Sequence, residues 1–253
     1  AVGTSVFFAP YTEDNVGVLD TTTSTFSTID TAAGVTADYK YQGAAAVGTS
    51  VFFAPRNEDN VGVLDTTTST FSTIDTTATG VTADAKYSGA AAVGTVVFFA
   101  PSNEKNVGVL DTTTSTFTTI DTTAAGVTAN DKYSSAAAVG TSVFFAPHYE
   151  DNVGVLDTTT STFSTIDTTA AGVTADGKYI GAAAVGTKIF FAPFNEDNVG
   201  VLDTTTSTFS TIDTTAAGVI AGDKYNGAVA VGTSVFFAPY NENVGVLDTL
   251  WSA

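Results

Sequence analysis

The sequence has no cysteine and no methionine. The lack of cysteine excludes a disulfide framework, a cysteine nucleophile, an iron–sulfur cluster and a thiolate zinc site. Histidine occurs once, at His148, so there is no histidine cluster to hold a catalytic metal. Basic residues are scarce: 8 Lys+Arg stand against 26 Asp+Glu in 253 residues, a formal net charge of −18. Gripping a nucleic-acid backbone takes Lys and Arg that displace counterions, and an anionic membrane surface selects for the same charges, so neither is an expected partner. No apolar run approaches the ~20 residues that cross a bilayer, so direct membrane insertion is not expected. Ala1-Val2-Gly3-Thr4 carries no signal-peptide pattern. The compartment stays open, and both the cell surface and a larger assembly fit the composition.

What is present is 43% hydrophobic and 11% aromatic, too apolar for a disordered acidic tail. It is arranged as an internal repeat. Phe-Phe-Ala-Pro ends at Pro10, Pro55, Pro101, Pro147, Pro193 and Pro239, so each of the 6 prolines marks one copy of a unit of about 46 residues. Leu-Asp-Thr follows each, with its acid at Asp20, Asp65, Asp111, Asp157, Asp203 and Asp248. Within a unit, Tyr87–Val93, Ser50–Ala54, Val61–Leu64 and Thr70–Ile74 exemplify four short runs, three of them rich in β-branched and aromatic residues. Turn-forming stretches separate them, and no apolar pattern holds helical spacing over three turns.

Four short strands per repeat predict an all-β chain, a β-propeller of near-identical four-stranded blades of ~46 residues, with residues 1–253 as one domain. The Ala-rich run suits the crowded innermost strand, the Phe-Phe run a strand buried on both faces, and the Thr-rich run an outermost strand near water. Six copies of the second and third strands predict six blades; five blades with a spare hairpin is the alternative. The first copy starts partway through its inner strand, and the last stops at Asp248-Thr249-Leu250-Trp251, where its outer strand would begin. Trp251 is expected to cover that truncated edge.

Ala-Ala-Val-Gly-Thr-Ser-Val-Phe-Phe-Ala-Pro followed by Val-Gly-Val-Leu-Asp-Thr-Thr-Thr-Ser-Thr-Phe resembles a kelch repeat, with Leu19 and Phe26 at the kelch aromatic-to-Trp spacing and Ala-Pro in place of the Gly-Gly doublet. Asn15 to Thr23 is also similar to the YVTN-type propeller repeat. The resemblance runs the length of the chain and implies a binding scaffold.

Comparing the copies exposes where they differ. The position after proline reads Tyr11, Arg56, Ser102, His148, Phe194 and Tyr240. The position after Lys-Tyr reads Gln42, Ser88, Ser134, Ile180 and Asn226, and the one before it Tyr39, Ala85, Asp131, Gly177 and Asp223. In a propeller these loops open on one face, so a copied framework carries a diversified rim, the expected binding face for a protein partner, with a glycan as the alternative. A spacer role within a larger assembly is the third reading. Glu13, Asp14, Glu58, Asp59, Glu104, Glu150, Asp151, Glu196, Asp197 and Glu242 fall in the same loops. They read as a solvated acidic rim that keeps blades apart; calcium takes such oxygens, but the ligand spacing of a dedicated loop is missing. Lys40, Lys86, Lys132, Lys178 and Lys224 are expected to form local ion pairs. Asp20 and its equivalents are expected to cap their turns. No Gly-x-Ser-x-Gly occurs, and carboxylate pairs recur identically, whereas an active site is built once. The chain is therefore not expected to be an enzyme, and no cofactor is expected.

Overall fold

The computed structural model describes residues 1–31 and 35–249. They form six antiparallel sheets in chain order, the blades of a six-bladed β-propeller. Blade 1 holds β1 (Ser5–Phe8), β2 (Asn15–Asp20) and β3 (Thr25–Asp30). Blade 2 holds β4 (Tyr41–Val47), β5 (Ser50–Pro55), β6 (Asn60–Asp65) and β7 (Thr70–Asp75). Blade 3 holds β8 (Tyr87–Val93), β9 (Val96–Pro101), β10 (Asn106–Asp111) and β11 (Thr116–Asp121). Blade 4 holds β12 (Tyr133–Val139), β13 (Ser142–Pro147), β14 (Asn152–Asp157) and β15 (Thr162–Asp167). Blade 5 holds β16 (Tyr179–Val185), β17 (Lys188–Pro193), β18 (Asn198–Asp203) and β19 (Thr208–Asp213). Blade 6 holds β20 (Tyr225–Val231), β21 (Ser234–Pro239) and β22 (Gly245–Asp248). The chain divides into two compact units, Ala1–Asp121 with blades 1 to 3 and Thr122–Ala253 with blades 4 to 6.

The four middle blades have four strands, and the two end blades have three among the described residues. Trp251 lies outside the described residues. Four three-residue 3₁₀ turns, such as Thr77–Thr79, are each closed by a left-handed glycine, Gly80 at φ 79° in that case.

Successive side chains of a strand point to opposite faces, which explains the Phe-Phe doublet. Phe52 packs with Val97, Phe99 and Leu110 of blade 3. Phe53 packs with Val16 of blade 1 and with Tyr41 and Leu64 of its own blade. Both are buried, and burying such a side chain contributes ~1.5–3 kcal/mol.

An aromatic trio completes each middle blade. Tyr41, Phe53 and Phe71 sit with ring centroids 6.1–6.2 Å apart, as do Tyr87, Phe99 and Phe117 at 5.9–6.3 Å. The same trio is Tyr133, Phe145 and Phe163 in blade 4, and Tyr179, Phe191 and Phe209 in blade 5. Each closes over the glycine of the third strand, the one residue type that leaves room for two rings. Leu64 faces Phe71 across the third and fourth strands, as Leu19 faces Phe26.

The turns behave as their sequence requires. Asp20 Oδ1 accepts the Thr22 N–H at 2.8 Å and the Thr22 hydroxyl at 2.6 Å. Asp65, Asp111, Asp157 and Asp203 cap their turns identically. The threonine hydroxyl, then the backbone N–H groups, hold these carboxyls below the usual carboxylate range.

Candidate functional site

The residue after each proline is held by the backbone of the repeated lysines. The Arg56 N–H donates to Lys40 O at 2.9 Å, and Arg56 O accepts the Lys86 N–H of the next blade at 2.8 Å. Phe194 is bracketed by Lys178 and Lys224 at 2.9 and 3.0 Å, and His148 by Lys132 and Lys178 at 2.8 and 2.9 Å. The lysine side chain locks the same junction. Buried Lys86 places Nζ 3.0 Å from Asp59 and 3.2 Å from Asn57 O of the preceding repeat. Lys40, Lys178 and Lys224 reach Asp14, Asp151 and Asp197 at 3.0, 2.9 and 3.1 Å, the ion pairs the sequence led one to expect.

The glutamates correct the sequence reading. Glu58, Glu104 and Glu196 are buried, not a solvated rim. Glu104 Oε1 accepts the Thr82 and Ala83 N–H groups at 3.2 and 3.0 Å, and Glu196 Oε1 those of Thr174 and Ala175 at 2.8 and 2.7 Å. Glu150 takes Thr128 and Ala129 in the same way. The carboxylates moor the long loop before each inner strand, where its backbone donors would otherwise be unpaired. Among the described residues no three His, Cys, Asp or Glu side chains gather as a metal site.

The glutamates also face the buried tyrosines. Burial first, and the nearby Glu58 charge second, push the Tyr41 phenol well above its ordinary value, and Tyr87, Tyr133 and Tyr179 follow with Glu104, Glu150 and Glu196. Tyr133 and Tyr179 donate to Asn152 and Asn198 at 2.9 and 2.6 Å, whereas the buried Tyr87 hydroxyl has no partner. The two hydroxyls should therefore differ in worth. Tyr179→Phe is expected to cost about 1 kcal/mol in denaturant unfolding, while Tyr87→Phe leaves stability unchanged or raises it.

On this framework the varied residues meet one another. In the first unit, the Tyr11 and Tyr39 rings lie 5.0 Å apart, and the Arg56 guanidinium sits 5.9 Å from the Tyr11 ring centre. Arg56 Nη1 donates to Gln42 Oε1 at 2.7 Å and reaches Ser88 Oγ at 3.4 Å. Three consecutive repeats thus contribute to one patch with two exposed tyrosines. In the second unit, His148 and Phe194 have ring centroids 6.2 Å apart, as do Phe194 and Tyr240, so three repeats form an aromatic row.

Not every varied position is surface. Ser102 and Ser88 are buried, and Ser134 Oγ donates to Tyr179 O at 2.7 Å, so these serines belong to the framework. Ile180 is half-buried and Asn226 exposed. The position before Lys is left-handed throughout, with φ 56° at Tyr39, 53° at Ala85, 48° at Asp131, 63° at Gly177 and 54° at Asp223. At Gly177 a Cβ would come 2.9 Å from Asn195 Nδ2 and 3.3 Å from His148 Nε2, so its absence lets the aromatic row close up. Sequence reading missed Tyr149, exposed and edge-on to His148 at 4.7 Å. It stands where Asn57, in blade 2, ties two loops together through Asp38 O and the Ala85 N–H. That replacement was visible as a second variable position.

The fold is that of a repeat β-propeller. No family model matches the chain, and no curated protein matches it. Among solved structures it is similar to a chain of a nidogen/laminin complex, with 12% identity, TM-score 0.66 and 97% of this chain against 89% of that one. It is similar to streptogramin B lyase, with 14% identity, TM-score 0.70 and 98% against 80%. It is likewise similar to the RRP9 WD40 repeats, with 11% identity, TM-score 0.74 and 96% against 72%. At these identities the likeness shows the fold, and a fold shared with a lyase and with a chain of a nidogen/laminin complex does not select an activity.

Proposed function

We propose that the protein is a non-enzymatic binding scaffold that engages a protein partner through the diversified loops. One observation carries the reading. The framework is copied down to individual hydrogen bonds, yet the side chains it presents differ from blade to blade and touch one another. Arg56, Tyr11 and Tyr39 in one unit, and His148, Tyr149, Phe194 and Tyr240 in the other, are the arginine and aromatic types that dominate protein interfaces. Among the proteins similar in fold, a chain of a nidogen/laminin complex is seen in a protein assembly, which supports the same use. A repeated sugar site would need the same lining in every blade, and these positions are where the blades disagree.

The test is an affinity capture with the full chain and with Arg56→Ala, His148→Ala and Phe194→Ala combined. A discrete protein retained by the parent should bind the triple variant at least ~30-fold more weakly, with unchanged circular dichroism and melting temperature. Equal retention by both proteins, or several equivalent weak sites on a glycan array, overturns the proposal.

A further inference from the structure

Among the described residues, the second unit offers no exposed lysine beside its aromatic row. Its lysines are Lys132, Lys178, Lys188 and Lys224. Lys132, Lys178 and Lys224 are buried, the last two held by Asp151 and Asp197, and Lys188 opens β17 at the end opposite Phe194. Two carboxylates stand at the row instead. Asn195, next to Phe194, donates from Nδ2 to Asp176 O at 2.7 Å and accepts the Asp223 N–H on Oδ1 at 3.1 Å. One amide thus ties the Phe194 loop to an acid before β16 and to another before β20. Asp176 is exposed and Asp223 half-buried, and neither enters an ion pair among the described residues.

The rings that these acids border are evenly spaced. His148 to Phe194 and Phe194 to Tyr240 are both 6.2 Å between centroids. An extended chain rises ~3.3 Å per residue and turns alternate side chains to one side, which sets them ~6.6 Å apart. Gly177, the residue after Asp176, lies under two of the rings: a Cβ there would stand 3.3 Å from His148 Nε2 and 3.6 Å from Phe194 Cδ1. Exposed Tyr149 adds its ring edge-on to His148. The first unit displays what such rings accept. Arg56 holds the same repeat position as Phe194, and its guanidinium lies 5.9 Å from the ring centre of Tyr11, one repeat earlier. The second unit has the rings and the carboxylates but no arginine, since Arg56 is the only one in the chain.

We propose that the aromatic row of the second unit seats an extended segment of the protein partner with arginines at alternate positions, a reading that rests on the diversified loops being its binding face. Guanidinium planes stack on Phe194 and its neighbours, whose ring faces attract a cation. Asp176 and Asp223 accept the guanidinium N–H groups, and a chain of net charge −18 draws a basic segment toward the face. An acidic segment meets the same two carboxylates with no exposed lysine to offset them, so the groups that select arginine also exclude its opposite.

The probe is the blocked peptide Ser-Arg-Thr-Arg-Thr-Arg-Ser, titrated into the full chain by calorimetry. Binding should saturate at one peptide per chain. Phe194→Leu, which keeps apolar bulk and removes the ring, should weaken it about tenfold with an unchanged melting temperature. Asp176→Asn combined with Asp223→Asn should weaken it at least ~tenfold. Asp38→Asn combined with Asp84→Asn removes the same charge from the first unit and should cost less than about twofold, because salt screens distant charges. The contiguous peptide Ser-Thr-Arg-Arg-Arg-Thr-Ser, of equal composition, should bind at least ~fivefold more weakly. No binding, full binding by Phe194→Leu, or equal binding of the contiguous peptide overturns the proposal. Equal losses from the two aspartate pairs overturn it as well, by assigning the attraction to net charge alone. If the peptide fails while affinity capture still retains a discrete protein that the triple variant loses, only the arginine assignment falls; failure of both removes the binding face too.

Discussion

Gly108→Ala is expected to destabilise the protein by about 3 kcal/mol in denaturant unfolding. Its Cβ would stand 2.9 Å from Phe117 Cζ, 2.9 Å from Tyr87 Cζ and 3.1 Å from the Tyr87 hydroxyl. Neither ring has room to retreat: Tyr87 is fully buried, Phe117 is buried, and Phe99 packs against both. Interiors this dense yield by backbone shift or off-rotamer side chains, both costly. Two comparisons make the cause testable. Gly17→Ala meets Phe26 Cζ at 2.9 Å and Phe8 Cβ at 3.4 Å, but Phe26 is mostly exposed and swings aside, so the cost should fall to about 1 kcal/mol. Gly227→Ala meets nothing closer than Ala238 Cβ at 3.8 Å and should be near neutral. Equal costs at the three sites would show that backbone entropy, not ring contact, selects glycine here.

That glycine shows where the sequence stopped being legible. The repeat length, the four runs and the Phe-Phe doublet carry the blade because strand periodicity is local and the doublet needs two buried faces. Asp20 and its copies are legible for the same reason, since their partners lie two and three residues away. Gly108 gains its meaning from Phe117, nine residues on, and Tyr87, 21 residues back, so the repeat marked it as invariant without giving the cause. Adjacent acids were harder still. Glu58 and Asp59 look alike in sequence, but in the bend between β5 and β6 the first turns inward to the Ala37 N–H and the second to Lys86. A reading that groups them as one rim loses that division. The position holding Tyr39, Ala85, Asp131, Gly177 and Asp223 did carry a local signal, because glycine and two aspartates are the residues that accept a left-handed backbone. Ser88 and Ser102 vary, yet both are buried, so variation by itself does not mark a surface.

Raising the pH above about 10 should unfold the protein in one steep step. Tyr41, Tyr87, Tyr133 and Tyr179 are fully buried, and burial, followed by the charge of Glu58, Glu104, Glu150 and Glu196, holds their phenols well above the ordinary value of 10.0. A group whose pKa is higher in the folded state contributes its full stability below the unfolded pKa and loses it as the pH climbs toward the folded one. Above pH ~10 the unfolded chain has released four protons that the folded chain still holds. Each costs about 1.4 kcal/mol per pH unit, together about 5 kcal/mol per unit. A domain with a stability of ~5–15 kcal/mol is exhausted within one to three such units. Tyrosinate absorbance of the buried groups should rise together with the loss of near-ultraviolet circular dichroism. Tyr133→Phe with Tyr179→Phe should halve the slope of stability against pH above 10, although the variant starts less stable at neutral pH for want of two hydroxyl bonds. An absorbance that climbs gradually while the dichroism persists would mean that water reaches the phenols without unfolding, and the rings would then not be the sealed joints between strands that their packing describes. The acid side obeys the opposite sign. The depressed carboxyls of Asp20, Asp65, Asp111, Asp157 and Asp203 stabilise the fold above their unfolded value of 3.8 and withdraw as pH falls below it. They lie at the surface in water, so the acid limb should be shallow where the alkaline one is sharp.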